Sequence, residues 1–335
     1  MPTRIKIART IDDDVTTLKT FVAERQDNWK IVRENLALLQ NEYKNYLDDF
    51  ANCKRYRILE PRRFSTCSAR LRKLYDQTPN CLGHIGEFRR RANQMLSVCP
   101  YCGLPMARVT LDHYLPRYAR GFPHLSILSC NLVPACDACQ SKKGNASPVL
   151  RRLSYRSERR PKTLRVRGKR AEFKRTIVKM RPAPKFLRRV SRFLHPYFDD
   201  FIEDIVWKLD PISITEPLKT LTLVPVALDS KQASLVRYQI DRLGLQARFR
   251  DEVSRWVRFS VKIFRDNNIT TVIEARAVAG ILLESYRVRD LTPNGMACTF
   301  FRALREHTVV ADAIIQLAAI AVPVKTVRSR AVELW

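Results

Sequence analysis

Glycine is scarce in this 335-residue sequence, which contains only nine, and none of them precedes Gly83. Glycine readily adopts the positive φ values that tight turns require, so this scarcity leaves few places for such turns. The apolar fraction of 45% is that of a folded protein. A chain of this length ordinarily holds about two domains. We therefore expect a mainly helical fold.

Long apolar runs are absent as well. The closest candidate, residues 309–324, carries Asp312 and Gln316 and falls short of the roughly eighteen apolar residues that a membrane span needs. The N-terminus has no apolar segment of the kind found in signal peptides. These absences predict a cytoplasmic protein without a membrane partner.

A disulfide framework is not indicated, although the chain has nine cysteines. Four cysteines form two Cys-x-x-Cys pairs, and five are scattered: Cys53, Cys67, Cys81, Cys130 and Cys298. This distribution is typical of a reduced compartment and a single metal site.

Acidic residues are few: 33 Asp and Glu stand against 61 Lys and Arg, a formal net charge of +28. Residues 151–192 alone hold 18 Lys and Arg against Glu158 and Glu172. Such a field attracts a polyanion, so we expect a nucleic-acid partner. The alternation in "KTLRVRGKR" predicts a short strand or hairpin there, and Arg165, Arg167, Lys169 and Arg170 are candidate phosphate contacts.

The N-terminal region lacks proline between Pro2 and Pro61, and Asp12 to Asp14 suit a helix N-terminus. Apolar residues then follow in steps of three and four: Val15, Leu18, Val22, Trp29, Val32, Leu36, Leu39, Tyr43, Tyr46 and Phe50. This 3.5-residue period predicts one long helix or a helical hairpin with an apolar seam. The seam would pack on the rest of the chain, or serve a partner or a homo-oligomer.

Four regions are predicted. They are a helical region at 1–92, a cysteine-rich module at 93–150, a basic segment at 151–192 and a helical domain at 193–335. In the last region, helices are expected over Ser230 to Leu243, Val253 to Phe264 and Thr271 to Val288. Apolar alternation in "ISIT" and "TLTLV" predicts a small sheet near residues 212–224.

The two cysteine pairs, Cys99 with Cys102 and Cys136 with Cys139, are separated by 33 residues. Each Cys-x-x-Cys turn offers two sulfurs, so two such turns predict a tetrahedral structural zinc site. The alternative is a redox-active pair or ordinary buried cysteines, but a redox pair needs no second copy. Zinc would hold together a loop-rich module that has little core of its own.

Between the pairs, "ARVTLDH" alternates and predicts a strand ending at Asp112 and His113. A second strand or extended loop is expected around Asn131, and a helix from about Asp137. The sequence therefore predicts a module of two strands and a helix with a metal-binding turn at each end.

These residues resemble the zinc-knuckle branch of the HNH, or ββα-metal, endonucleases. The similarity covers Cys99 to Ser147 and rests on "CPYC", "LDH", "NLVP", the second cysteine pair and "KKGN". It implies a mainly α protein with a small zinc-stapled ββα module, in which Asp112 ligates a catalytic Mg²⁺ or Mn²⁺. It further implies that His113 is the general base and that Asn131 orients the histidine loop. The family usually has His or Asn after the last cysteine, where this chain has Gln140.

The chemistry is consistent with this resemblance. Phosphodiester hydrolysis needs a group to deprotonate water and a cation to stabilise the charge that grows on the phosphate. Imidazole suits the first task, and the oxygens of Asp112 and Gln140 suit Mg²⁺. Arg117, Lys142 and Lys143 are candidate phosphate contacts. We expect an endonuclease, with DNA favoured over RNA. The alternative is an impaired module that serves as a nucleic-acid-binding or complex-organising scaffold.

In its organisation the chain resembles the HNH subunits paired with an ATPase in bacterial anti-phage systems such as Septu and some retrons. That likeness implies a defence role and an ATPase partner. The segment "HPYFDDF", from His195 to Phe201, is interpreted as an aromatic plug between domains without a catalytic role.

Overall fold

The computed structural model describes ten parts of the chain. They are residues 4–6, 9–24, 29–51, 64, 66–77, 82–118, 121–146, 149–150, 190–226 and 228–320. The predicted strand in "KTLRVRGKR" and the candidate phosphate contacts Arg165, Arg167, Lys169 and Arg170 lie outside these residues. The described part is mainly helical, as expected, with small antiparallel strand pairs.

Among the described residues before the cysteine-rich module are five helices: α1 (Ile11–Ala23), α2 (Lys30–Glu34), α3 (Leu36–Ala51), α4 (Ser68–Gln77) and α5 (Gly83–Met95). Helix α1 begins with a capping box, in which Thr10 accepts from the backbone of Asp13 and the Asp13 carboxylate accepts from the backbone of Thr10. Helix α1 then packs against α3.

The prediction of a single long helix is wrong, because the described residues of that span form three helices. Its apolar seam is nevertheless real. Seven seam residues are buried in the core of the chain itself: Val15, Leu18, Val22, Val32, Leu39, Tyr43 and Tyr46. Trp29 and Leu36 pack partly buried against the same core. The seam is thus filled within the chain, which contradicts its use as a homo-oligomer surface.

The cysteine-rich module forms the predicted two strands and a helix. Strand β1 (Thr110–His113) pairs antiparallel with β2 (Leu132–Ala135), with His113 opposite Leu132 and Thr110 opposite Ala135. Helix α6 (Asp137–Lys143) follows at once and contacts β1. A two-residue pair, β3 (Val149–Leu150) with β4 (Val190–Ser191), brackets most of the basic segment.

The C-terminal part contains strands β5 (Trp207–Pro211) and β6 (Leu221–Pro225), which pair antiparallel. Up to residue 320, where the described part ends, five helices follow: α7 (Ser230–Arg242), α8 (Leu245–Asp266), α9 (Val272–Asp290), α10 (Met296–Glu306) and α11 (Thr308–Ile320). The three predicted helices and the strand in "TLTLV" are confirmed. The predicted strand in "ISIT" is wrong. Ile212 and Ile214 are exposed in the connection between β5 and β6, and β6 pairs with β5.

One apolar cluster connects all of these parts. It extends from Val15 and Tyr46 through the cysteine-rich module to Ile314 in α11. A second cluster packs α1 to α5 against Leu111 and Leu132 of the β1–β2 hairpin. The hairpin therefore lies between the N-terminal and C-terminal helices, and the predicted domain boundaries stay predictions. Among the described residues, no helix combines the length and apolarity needed to cross a membrane.

Candidate metal centre and adjoining cleft

The four predicted cysteines come together. The Sγ atoms of Cys99, Cys102, Cys136 and Cys139 all lie within 4.8 Å of one another. The Sγ atoms of Cys102 and Cys136 are 3.9 Å apart. Zn–S bonds of about 2.3 Å in a tetrahedral site place sulfurs about 3.8 Å apart, so this cluster fits a structural metal such as zinc.

The backbone positions each pair of sulfurs. In the first pair, Gly103 adopts a left-handed φ of +64°, and its N–H donates to the carbonyl of Cys99 at 2.7 Å. In the second pair, Cys136 precedes α6 and Cys139 lies in its first turn. Because β2 ends at Ala135, its pairing with β1 brings the second turn to the first, and the N–H of Cys136 donates to Cys99 Sγ at 3.3 Å.

Arg248 of α8 also belongs to this centre. Its guanidinium donates to Cys139 Sγ at 3.2 Å, to Cys102 Sγ at 3.4 Å and to Cys136 Sγ at 3.5 Å. Four thiolates around a bound zinc would carry a net negative charge, which the Arg248 guanidinium would offset. Nothing in the local sequence around Arg248 signals this contact, and sequence reasoning missed it.

We expect Arg248→Gln to release zinc to a chelator about tenfold faster than the wild type, since partners of metal ligands typically change affinity by 10–100-fold. A zinc-sensitive dye follows the release. Arg250→Gln, at an exposed position of the same helix, is the matched control. Equal release rates for Arg248→Gln and the control would contradict this role.

Asp112 lies at the end of β1 and is only 4% exposed. Its carboxylate accepts a hydrogen bond from the Tyr101 hydroxyl at 2.9 Å and pairs with Lys143 Nζ at 3.0 Å. Burial raises the pKa of Asp112, and the positive charge of Lys143 opposes that rise. The two partners hold the carboxylate in one orientation.

His113 follows on the same strand, and its Nε2 lies 2.9 Å from the carbonyl oxygen of Ser126. A carbonyl can only accept, so Nε2 carries the proton and Nδ1 keeps its lone pair. The edge of the Tyr75 ring packs against the imidazole, with ring centroids 4.5 Å apart. Burial lowers the pKa of His113 to about 3, which keeps the ring neutral at neutral pH.

Asn131 is fully buried and ties together the loop between the strands. Its Oδ1 accepts from the N–H of Leu115 at 2.8 Å, and its Nδ2 donates to the carbonyls of Leu115 and Leu125, both at 3.1 Å. Its main-chain carbonyl accepts from the N–H of Tyr114 at 2.8 Å. The residue directly after His113 is thus fixed to Asn131.

A cleft of about 470 Å³ lies beside these residues. Asp112, His113 and Gln140 share its wall with Arg72, Asp76 and Arg117. Gln140 donates from Nε2 to the carbonyl of Leu111 at 3.3 Å. That bond uses the amide nitrogen, so the amide oxygen is the atom with which Gln140 could ligate a cation.

The candidate phosphate contacts lie in different environments. Arg117 lines the cleft, paired with Asp76 at 2.7 Å and stacked 4.9 Å from the Tyr75 ring centroid. Lys142 is exposed. Lys143 is only 2% exposed, because the face of α6 on which it lies packs against β1. This burial contradicts the prediction that Lys143 contacts phosphate. Its ammonium binds Asp112 and donates to the carbonyl of His113 at 2.8 Å.

The cleft and the metal centre therefore share one hairpin and one helix. Comparison with protein-family models, with curated proteins and with solved structures finds no match to this chain.

Proposed function

We propose that this protein is a metal-dependent endonuclease of the HNH type that hydrolyses phosphodiester bonds in nucleic acid. One observation carries the proposal. At the end of one strand, a neutral histidine with a lone pair on Nδ1 adjoins a buried carboxylate, and both line a cleft. That combination supplies a proton acceptor and a hard oxygen ligand side by side, as metal-assisted hydrolysis requires.

Each residue then has a defined task. His113 accepts the proton of the attacking water at Nδ1 and is held by the carbonyl of Ser126. Asp112 and Gln140 would hold Mg²⁺ or Mn²⁺ through oxygen, and the cation would stabilise the charge that develops on the phosphate. Arg117 attracts the phosphate backbone into the cleft.

The overall charge supports a polyanionic substrate. A formal charge of +28 gives sequence-independent, salt-sensitive affinity for nucleic acid, with DNA favoured over RNA as the substrate. The structural zinc supports the same function indirectly, because it fixes the hairpin on which Asp112 and His113 lie.

A second candidate, a nucleic-acid-binding scaffold with impaired catalysis, is favoured by one contact. The Lys143 ammonium already pairs with the Asp112 carboxylate and thereby competes with a divalent cation for it. Gln140 also differs from the His or Asn of the family that this module resembles.

A cleavage assay separates the two candidates. We expect the purified protein to cut plasmid or single-stranded DNA when Mg²⁺ or Mn²⁺ is added, and EDTA to stop the reaction. RNA is the third substrate in the same assay. Binding of all three substrates without any cleavage would favour the scaffold. The anti-phage role and the ATPase partner stay predictions.

A further inference from the structure

The segment Arg192–Asp199, here called the brace, lies directly behind the catalytic hairpin. Arg192 and Asp199 form a buried ion pair, with Nη2 and Oδ1 2.6 Å apart. Between them, the hydroxyl of Tyr197 donates to the carbonyl of Leu132 in β2 at 2.6 Å. The brace is therefore rigid and attached to the hairpin.

His195 lies at the centre of the brace and is fully buried. The backbone N–H of Tyr197 lies 3.3 Å from His195 Nδ1. A backbone N–H can only donate, so Nδ1 accepts and Nε2 carries the proton. Burial, together with the charge of Arg192, lowers the pKa of His195 well below its usual range, which is consistent with this neutral tautomer.

The protonated Nε2 determines the direction of the next hydrogen bond. It lies 3.0 Å from the hydroxyl oxygen of Tyr46 in α3, which must accept from it. The Tyr46 hydroxyl is thereby free to donate its own proton to Asn131 Oδ1 at 3.2 Å, with the carbonyl of Cys130 at 3.3 Å as a second acceptor.

The hydrogen bonds from His195 through Tyr46 end at Asn131, which fixes the loop that follows His113. When Tyr46 donates to Asn131, the amide oxygen faces the hydroxyl and the amide nitrogen donates to the carbonyls of Leu115 and Leu125. A reversed amide would place an N–H group against the N–H of Leu115. Every polar atom in this relay is buried, where such a mismatch is costly.

We propose that His195, acting through Tyr46, is a positioning residue that fixes the orientation of the Asn131 amide and with it the loop that follows His113. Its effect on cleavage rests on the proposed function, whereas its effect on His113 does not. The aromatic plug inferred from the sequence is thus a directed hydrogen-bond relay.

Three variants test the relay by activity. In place of His195, glutamine can offer an N–H near the position of Nε2, whereas asparagine can only replace the acceptor Nδ1. We expect Tyr46→Phe and His195→Asn to lower kcat by roughly ten- to hundredfold with little change in KM, and His195→Gln to lower it less. Tyr286→Phe is the control, because the ring of this tyrosine in α9 packs against Trp256 and Phe301, outside the relay.

A second measurement does not depend on cleavage. The chain has five histidines, so ¹⁵N-histidine labelling of the full protein gives few ring signals, which single variants assign. We expect His195 to be protonated at Nε2, and the His113 ring signals to shift in Tyr46→Phe but to stay near their wild-type positions in Tyr286→Phe. Protonation of His195 at Nδ1, or unchanged His113 signals in Tyr46→Phe, would overturn the relay. A wild-type protein that cuts nothing but passes the NMR test would overturn the endonuclease and leave the relay standing.

Discussion

We expect His113→Ala to lower the rate of the proposed Mg²⁺-dependent cleavage by about 10²–10⁴-fold, the contribution of a general base. The alanine variant would lack the Nδ1 lone pair that, in the proposed function, accepts the proton of water. We expect its affinity for nucleic acid to stay at the wild-type value, because the charges of the Lys and Arg residues are unchanged. Cleavage kinetics and fluorescence anisotropy measure the two quantities on the same preparation.

His84→Ala is the control for this prediction. His84 lies in α5, is only partly buried and does not line the cleft. Its loss should leave the rate within about twofold of the wild type, as expected for a residue outside the reacting groups. A His113→Ala protein that cuts as fast as the control would show that another group is the base.

We expect the second large effect from removing a ligand of the candidate structural metal. Cys139→Ser takes away one of four sulfurs in a cluster that lies within the main apolar core. Zinc bound by such sites stabilises small modules by about 10–16 kcal/mol in zinc-finger peptides, so the variant should lose several kcal/mol of unfolding free energy. Thermal denaturation and the zinc content per chain report the change.

Cys298→Ser is the matched control, since Cys298 is equally buried in α10 but lies outside the cluster. We expect the wild type and Cys298→Ser to carry one zinc per chain and Cys139→Ser to carry less. A wild type without zinc, or equal melting temperatures for the two serine variants, would contradict a structural metal. A brief treatment with EDTA that stops cleavage while zinc stays bound would distinguish the catalytic cation from the structural one.

The sequence predicted the cysteine cluster because its signal is local. A Cys-x-x-Cys turn presents two sulfurs whatever surrounds it, and two such turns can share an ion. The strand ending at Asp112 and His113 and the helix from Asp137 were predictable for a similar reason, since both carry period and boundary signals in their own residues.

Other features depend on contacts distant in sequence. Arg248 lies 109 residues from Cys139, and no spacing connects them. Lys143 follows a second lysine, and only the packing of α6 on β1 decides which of the two is buried. Apolar and polar residues alternate in "ISIT" as they do in a strand, but β6 pairs with Trp207–Pro211 instead. The 3.5-residue period of the N-terminal seam predicts which side chains are buried, but it does not predict where each helix ends.

The short pairing of β3 with β4 has a consequence for the evolution of this chain. Leu150 lies opposite Val190, so the backbone positions that flank residues 151–189 are adjacent. The closure entropy of a loop between two adjacent positions changes by only about 0.6 kcal/mol for each doubling of its length. We therefore expect insertions or deletions between these two positions to change the stability of the hairpin, the cysteine cluster and the brace only a little.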